Sequence, residues 1–349
     1  MTILELILFT VGVTAVLSIV GFAPVWFLAP RFDGLQMLLC PVIGLGILYF
    51  ACQVLSSWIP SGKIVTGTCI VFGILSLATA TKHRKRLGSW IHPRGREVAL
   101  VAGFALVLAI LLQVPMIHAG TFTLANGGGD DIFTWAPTAS YMQTHAFPVG
   151  GSWYALAYVS PVLYILPENV YPGSAGTVDG GLMSIFHMHA YQFVEPFTAL
   201  CLALSVVGVY LLVRVGLGLP RRFALVGLVL AATNQYVFFL AGEGLAEDAR
   251  GMVLMTGILV LLLVAFREHS VGAGILGGGL TGVLAGVYMP QFLVICATTL
   301  GGVVAFVVLR RRRSPAWKPM AAFAAAGLLF GAQNIKWLLF NGGLHAWAL

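Results

Sequence analysis

Val98–His118 reads VALVAGFALVLAILLQVPMIH, and Ala119–Asp131 follows as AGTFTLANGGGDD. At 1.5 Å per residue a helix over the first stretch is about 31 Å long, enough to cross a hydrocarbon core about 30 Å thick. The second stretch leaves that helix through three glycines and ends on two adjacent carboxylates. Runs like the first recur along the chain, near 3–24, 35–57, 63–81, 98–118, 194–215, 222–241, 250–266, 271–289, 291–309 and 319–341. Their spacing predicts an all-α polytopic membrane protein of about ten transmembrane helices.

Composition agrees. The mean hydropathy is +0.95, 59% of residues are hydrophobic and 9% are charged, against roughly 25% charged in soluble domains. A soluble core is excluded. The net charge of +7 comes without a basic stripe interleaved with aromatics on any polar segment, so nucleic acid is not a partner. Cys40, Cys52, Cys69, Cys201 and Cys296 all fall inside apolar runs with no CxxC spacing, and read as small hydrophobes. The first run starts almost at Met1 without a basic leader, which is the pattern of a retained span rather than a cleaved signal.

The charges orient the chain. With the Lys82–Arg86 cluster in the cytoplasm, 16 of the 19 Lys and Arg fall inside and only Lys63, Arg250 and Lys336 lie toward the outside. Cytoplasmic loops retain basic residues, so both termini and the long segment 119–193 are expected on the outer side of an inner (plasma) membrane. That segment mixes glycine, proline and aromatics. Ile132, Trp135, Ala139 and Met142 recur at helical spacing within Asp131–Ala146, with Pro137 expected in or near the first turns. The pattern predicts an amphipathic helix lying at the membrane surface, and a second over 176–191 after the Tyr171-Pro172-Gly173 turn signal. The glycines of 272–286 predict close helix packing.

Two acidic groups carry the chemical interest. Asp130 and Asp131 follow Gly127–Gly129, where the backbone can approach a ligand closely; the plain alternative is an N-cap on the helix that follows. Glu243, Glu247 and Asp248 share the short outer loop between spans six and seven, with Arg250 three residues after Glu247. Such a run is more often a solvated loop with local ion pairs. Together the carboxylates suit a hard cation, Mg²⁺ or Mn²⁺, or a general base. Arg250 and Lys336 sit near the outer ends of their spans, at the depth of a lipid phosphate, although a lysine there also snorkels without a ligand. His187 could face the loop cavity, Gln291 could line a polar outward site, and Trp135 could stack on a sugar. An interfacial aromatic belt accounts for such a tryptophan equally well.

A long outer loop opening on Asp130-Asp131, followed two spans later by an outer loop bearing Glu247-Asp248, resembles the GT-C class of integral-membrane glycosyltransferases. The Asp-Asp-x-x-x-x-x-Pro pattern leading to His145-Ala146-Phe147-Pro148 is similar to the segment after the first acid in bacterial members. The resemblance covers about 98–341, which divides the chain into a three-helix membrane segment, 1–97, and a seven-helix GT-C-like core, 98–349, with outer loop 119–193.

The resemblance implies Asp130 or Asp131 as the catalytic acid and Glu247 and Asp248, with Glu243 after them, as the metal-binding acids of the second loop. It further implies Arg250 or Lys336 as the cation offsetting charge on the leaving phosphate, and His187, Gln291 and Trp135 remain substrate-side candidates from the residue reading above. The donor would be a polyprenyl-phosphate-linked sugar and the acceptor a lipid, glycan or protein on the extracytoplasmic side. Membrane lipids and the lipid-linked donor are the expected partners. The chain closes at Leu349, soon after the tenth span, where members of the class continue, so the expectation is a compact member, a fragment, or one subunit whose further C-terminal elements a partner subunit supplies. The rival readings are a transporter, which calls for charges or broken helices at the membrane midplane, and a catalytically silent scaffold subunit.

Overall fold

A computed structural model describes residues 3–29, 34–91, 94–119, 130–146, 175–242, 245–309 and 317–346. The described chain is helical, in the order α1 (Ile3–Leu28), α2 (Cys40–Leu55, entered through a 3₁₀ turn at Leu35–Leu39), α3 (Ser61–Lys82), α4 (Arg84–Ile91), α5 (Gly95–Leu111) and α6 (Val114–Ala119). Then come α7 (Asp130–Thr144), α8 (Ala175–Phe186), α9 (Ala190–Leu211, continued by a π turn at Leu212–Gly216), α10 (Arg221–Ala232), α11 (Gln235–Gly242), α12 (Ala246–Arg267), α13 (Val271–Leu284), α14 (Met289–Leu309) and α15 (Trp317–Ala346).

The expected ten spans give way to five. Among the described residues, Ile3–Leu28, Leu35–Leu55, Ser61–Lys82, Ala190–Gly216 and Ala246–Arg267 are long and apolar enough to cross a membrane, and a sixth is reached if α10 and α11, bent by 42°, count as one. The physical reason lies in breaks that hydropathy does not register. The run 98–118 divides at Leu112-Gln113 into helices of 17 and 6 residues. The run 271–289 stops as a helix after 14 residues, about 21 Å and well short of the hydrocarbon thickness. α14 and α15 each run on into residues whose side chains lie outside the described set, so neither enters the count of five.

Backbone closeness organises the packing. A Cβ on Gly21 would meet the Cys40 carbonyl oxygen at 2.0 Å and one on Gly44 the Leu17 oxygen at 1.9 Å, so α1 and α2 touch backbone to backbone. The stripe Gly274, Gly278 and Gly282 does the same for α13 against α15, with hypothetical Cβ atoms 2.4, 2.0 and 2.6 Å from the carbonyls of Pro319, Phe323 and Gly327. The close packing expected of the glycine-rich span is therefore present. Val13, Leu17, Leu45, Phe193, Phe197, Val253, Ile258 and Leu261 belong to one continuous buried core.

The second surface-lying helix is also corrected. α8 lies inside the bundle, with Gly176 to Met183 all buried, and it packs against α3, α7 and α9. Three glycines make it a poor helix by propensity. Burial decides its form, because a buried backbone must satisfy its own hydrogen bonds. α8 ends at His187, whose φ of 51° turns the chain into α9. In α7, Ala139 and Met142 are buried, as their spacing predicts, whereas Pro137 lies mid-helix rather than in the first turns.

Candidate functional site

Arg250 is fully buried one turn into α12. Its guanidinium meets Asp179 of α8 in a two-point fork, Nε to Oδ1 at 3.2 Å and Nη2 to Oδ2 at 2.6 Å. Nη1 donates to the Ala246 carbonyl at 2.6 Å and to the Thr198 hydroxyl at 3.3 Å, and the group lies 5.0 Å from the Phe197 ring centre. The Thr198 hydroxyl in turn donates to Val194 O at 2.8 Å. A fork of this kind aligns two charge-assisted hydrogen bonds and fixes both side chains. Burial pushes the Asp179 carboxyl up to about 6, with the Arg250 charge and hydrogen bond pulling the other way, so it is ionised at neutral pH. The pair joins α8, α9 and α12 at one point.

The same turn of α12 carries Glu247 and Asp248. The Asp248 carboxylate and the Tyr288 side chain share a hydrogen bond, and burial first, then the Asp248 charge, holds the Tyr288 hydroxyl well above the usual phenol range. Gln291 Nε2 donates to the Asp248 carbonyl at 3.1 Å. Gln291 Oε1 is buried with no hydrogen bond among the described residues. A Cβ on Gly251 would sit 2.2 Å from that oxygen, so the glycine is what lets Gln291 reach the turn.

The first acidic group reaches this region through its helix. Asp130 and Asp131 open α7, which packs along α8 and also touches α12. The approach depends on glycine. A Cβ on Gly180 would lie 2.5 Å from Ala139 O and one on Gly176 2.9 Å from Thr138 Cγ2. Ser61 at the start of α3 clamps the other end of α7, its hydroxyl donating to Met142 O at 2.8 Å.

The remaining candidates are not gathered. The side chains of Asp130, Asp131, Trp135 and Lys336, and all of Glu243, lie outside the described residues. His187 is exposed at the end of α8. Arg250 is engaged with Asp179 rather than turned to an open cavity. Among the described residues no group of three or more His, Cys, Asp or Glu is set to hold a metal ion. Glu247 and Asp248 are consecutive in a helix and diverge by about 100° around it. Mg²⁺ or Mn²⁺ there would need oxygen from a further group such as Glu243.

Asp179 was missed by the sequence reading. Its signal was present: a single carboxylate inside the otherwise uncharged stretch Ala175–Phe186 needs a cation if it is buried, and Arg250 is one of the few basic residues that fall near the end of an apolar run outside the basic clusters. A comparison with protein-family models, curated proteins and solved structures finds no match to this chain. What is established is an all-α, multi-pass membrane protein in which α7, the helix opened by Asp130-Asp131, packs on α8 and touches α12.

Proposed function

We propose that the chain is a glycosyltransferase of the inner membrane that moves a sugar from a polyprenyl-phosphate-linked donor to an acceptor on the extracytoplasmic face, and that it is a GT-C-like protein. One observation carries the reading. The helix opened by Asp130-Asp131 packs on α8, and Asp179 of α8 is forked to Arg250, two and three residues from Asp248 and Glu247. Both acidic segments thus belong to helices that pack against α8, which supports a reaction built on separated carboxylates.

In this proposal Asp130 or Asp131 acts as the general base on the acceptor hydroxyl. As that oxygen attacks the anomeric carbon, the bond to the donor phosphate oxygen breaks, the lipid phosphate leaves with the electron pair and the anomeric centre inverts. Arg250, held by Asp179, is here a positioning residue that sets the α12 turn. Lys336 is the candidate cation for the leaving phosphate, and Trp135, Gln291 and His187 are candidates for substrate contact. No step is routed through a metal ion; Mg²⁺ or Mn²⁺ bound at Glu247, Asp248 and Glu243 would supply charge neutralisation at the phosphate.

The test is transfer from a polyprenyl-phosphate sugar by the full chain in membranes. The Asp130→Asn, Asp131→Asn double variant is expected to lose at least about 100-fold in rate, the scale of a general base, at unchanged abundance. Unchanged transfer overturns the reading and leaves the scaffold, for which a fully neutralised internal Arg250 is the favouring observation.

A further inference from the structure

Helices α1, α2, α3, α13 and α15 enclose a groove of about 800 Å³. Its walls are apolar, from Pro24 and Leu28 at one end through Phe50, Leu280 and Phe330 to Leu55 and Ile59 at the other. The Thr68 hydroxyl on its wall is already spent on Ile64 O at 2.8 Å. Among the described residues Lys63 is the one charged residue in the lining. It is exposed, and among the described residues it belongs to none of the ion pairs.

The geometry sets the groove within a bilayer. Lining residues of α2 run from Ile43 to Leu55, about 18 Å along a helix at 1.5 Å per residue, close to the roughly 15 Å of one leaflet's hydrocarbon. Lys63 stands at the α2–α3 turn, whose Trp58 is 74% exposed, the placement of an interfacial anchor. The opening is bordered by Gly67 and by Val71, itself 55% exposed, so a chain can enter sideways from the lipid. The first turn of α3 adds its positive helix end to the lysine charge.

We propose that this groove holds one acyl chain of an anionic glycerophospholipid, with the lipid phosphate on the Lys63 ammonium. Charge complementarity selects a phosphate head: among the described lining residues there is one cation and no carboxylate, with a dry wall below. Depth selects the chain, because a groove one leaflet deep matches an acyl tail, whereas a long polyisoprenoid overruns it. The proposal is independent of sugar transfer, since among the described candidates neither Glu247, Asp248, Arg250, Gln291 nor His187 lines the groove.

The full chain, purified in neutral detergent and stripped of lipid, is titrated with phosphatidylglycerol and read by native mass spectrometry and by thermal shift. One bound lipid is expected to raise the melting temperature. Lys63→Glu is expected to weaken binding by roughly tenfold or more, on the scale of one interfacial charge reversed, and Lys63→Arg to preserve it. Gly67→Phe is expected to abolish binding without lowering the lipid-free melting temperature, because a Cβ there meets no atom within 4 Å. Val71→Trp at the exposed border is a second blocking variant. Equal binding of phosphatidylcholine, preferential retention of a polyprenyl monophosphate, a second copy of the chain in the groove, or binding indifferent to both blocking variants overturns the proposal.

Discussion

The Asp179–Arg250 fork and the Gln53–Gln333–Asn334 group are both polar clusters wedged between apolar helices, and their chemistry differs. The first is charged, with both side chains fully buried. The second is neutral. Gln53 of α2 donates to Val283 O at 2.9 Å and accepts from Gln333 and Asn334 of α15, each at 3.2 Å, while Asn334 also donates to Gly282 O at 3.3 Å. An amide that loses a partner remains a dipole and can turn to another. A buried ion that loses its partner remains a charge in a medium that solvates it poorly. The fork therefore fixes one arrangement of α8 against α12, and the amide group tolerates adjustment of α2 against α13 and α15.

The largest expected effect comes from breaking the fork at its acid. Asp179→Leu strands a guanidinium that cannot lose its proton, and about 3–5 kcal/mol of stability should go with it, seen as a collapse of thermal stability in detergent. Adding Arg250→Met to that variant should restore most of the loss, because two apolar side chains replace two ions. A double variant as unstable as the single one would show that the fork does more than cancel charge.

Breaking it at the base should cost less and should depend on pH. In Arg250→Met the pull that lowers the Asp179 pKa is gone, so the carboxyl rises above its present value of about 6 and can take up a proton. A carboxyl whose folded pKa lies above its unfolded value favours the folded state at low pH and loses that advantage as pH rises through the folded pKa. The Arg250→Met melting temperature should accordingly climb as pH falls from 8 to 5. A flat profile would mean that Asp179 finds another cation.

The smallest effect belongs to the amides. Gln53→Leu should cost on the order of 1 kcal/mol, the scale of an interhelical hydrogen bond in a membrane, measured by the same melts. A loss as large as that of Asp179→Leu would erase the contrast between the two clusters.

Part of this was legible in the chain. Apolar runs located helices, the Gly272–Gly286 stripe announced a close helix pair, and the two acidic segments stood out against a charge-poor background. The span count was not legible. Hydropathy sums over a window and is blind to Leu112-Gln113, to Thr233-Asn234 and to the end of α13 at Leu284, where a helix breaks while its composition stays apolar. Nor was α8 legible as a buried element: 176–191 reads as a surface-lying helix, and only the packing of α7 and Val65 against Gly176, Gly180 and Gly181 shows it inside the bundle.

The sequence by itself determined that this chain lives in a membrane, because its apolar runs and scarcity of charge admit no other solvent. It also determined where carboxylates and lysines stand along the chain. Only the tertiary structure decided that Arg250 belongs to Asp179, 71 residues away, and that Lys63 stands at the head of an apolar groove built from five helices. The physical reason is that pairing a buried charge or closing a groove depends on which helix faces meet in space, and those faces come from distant parts of the chain.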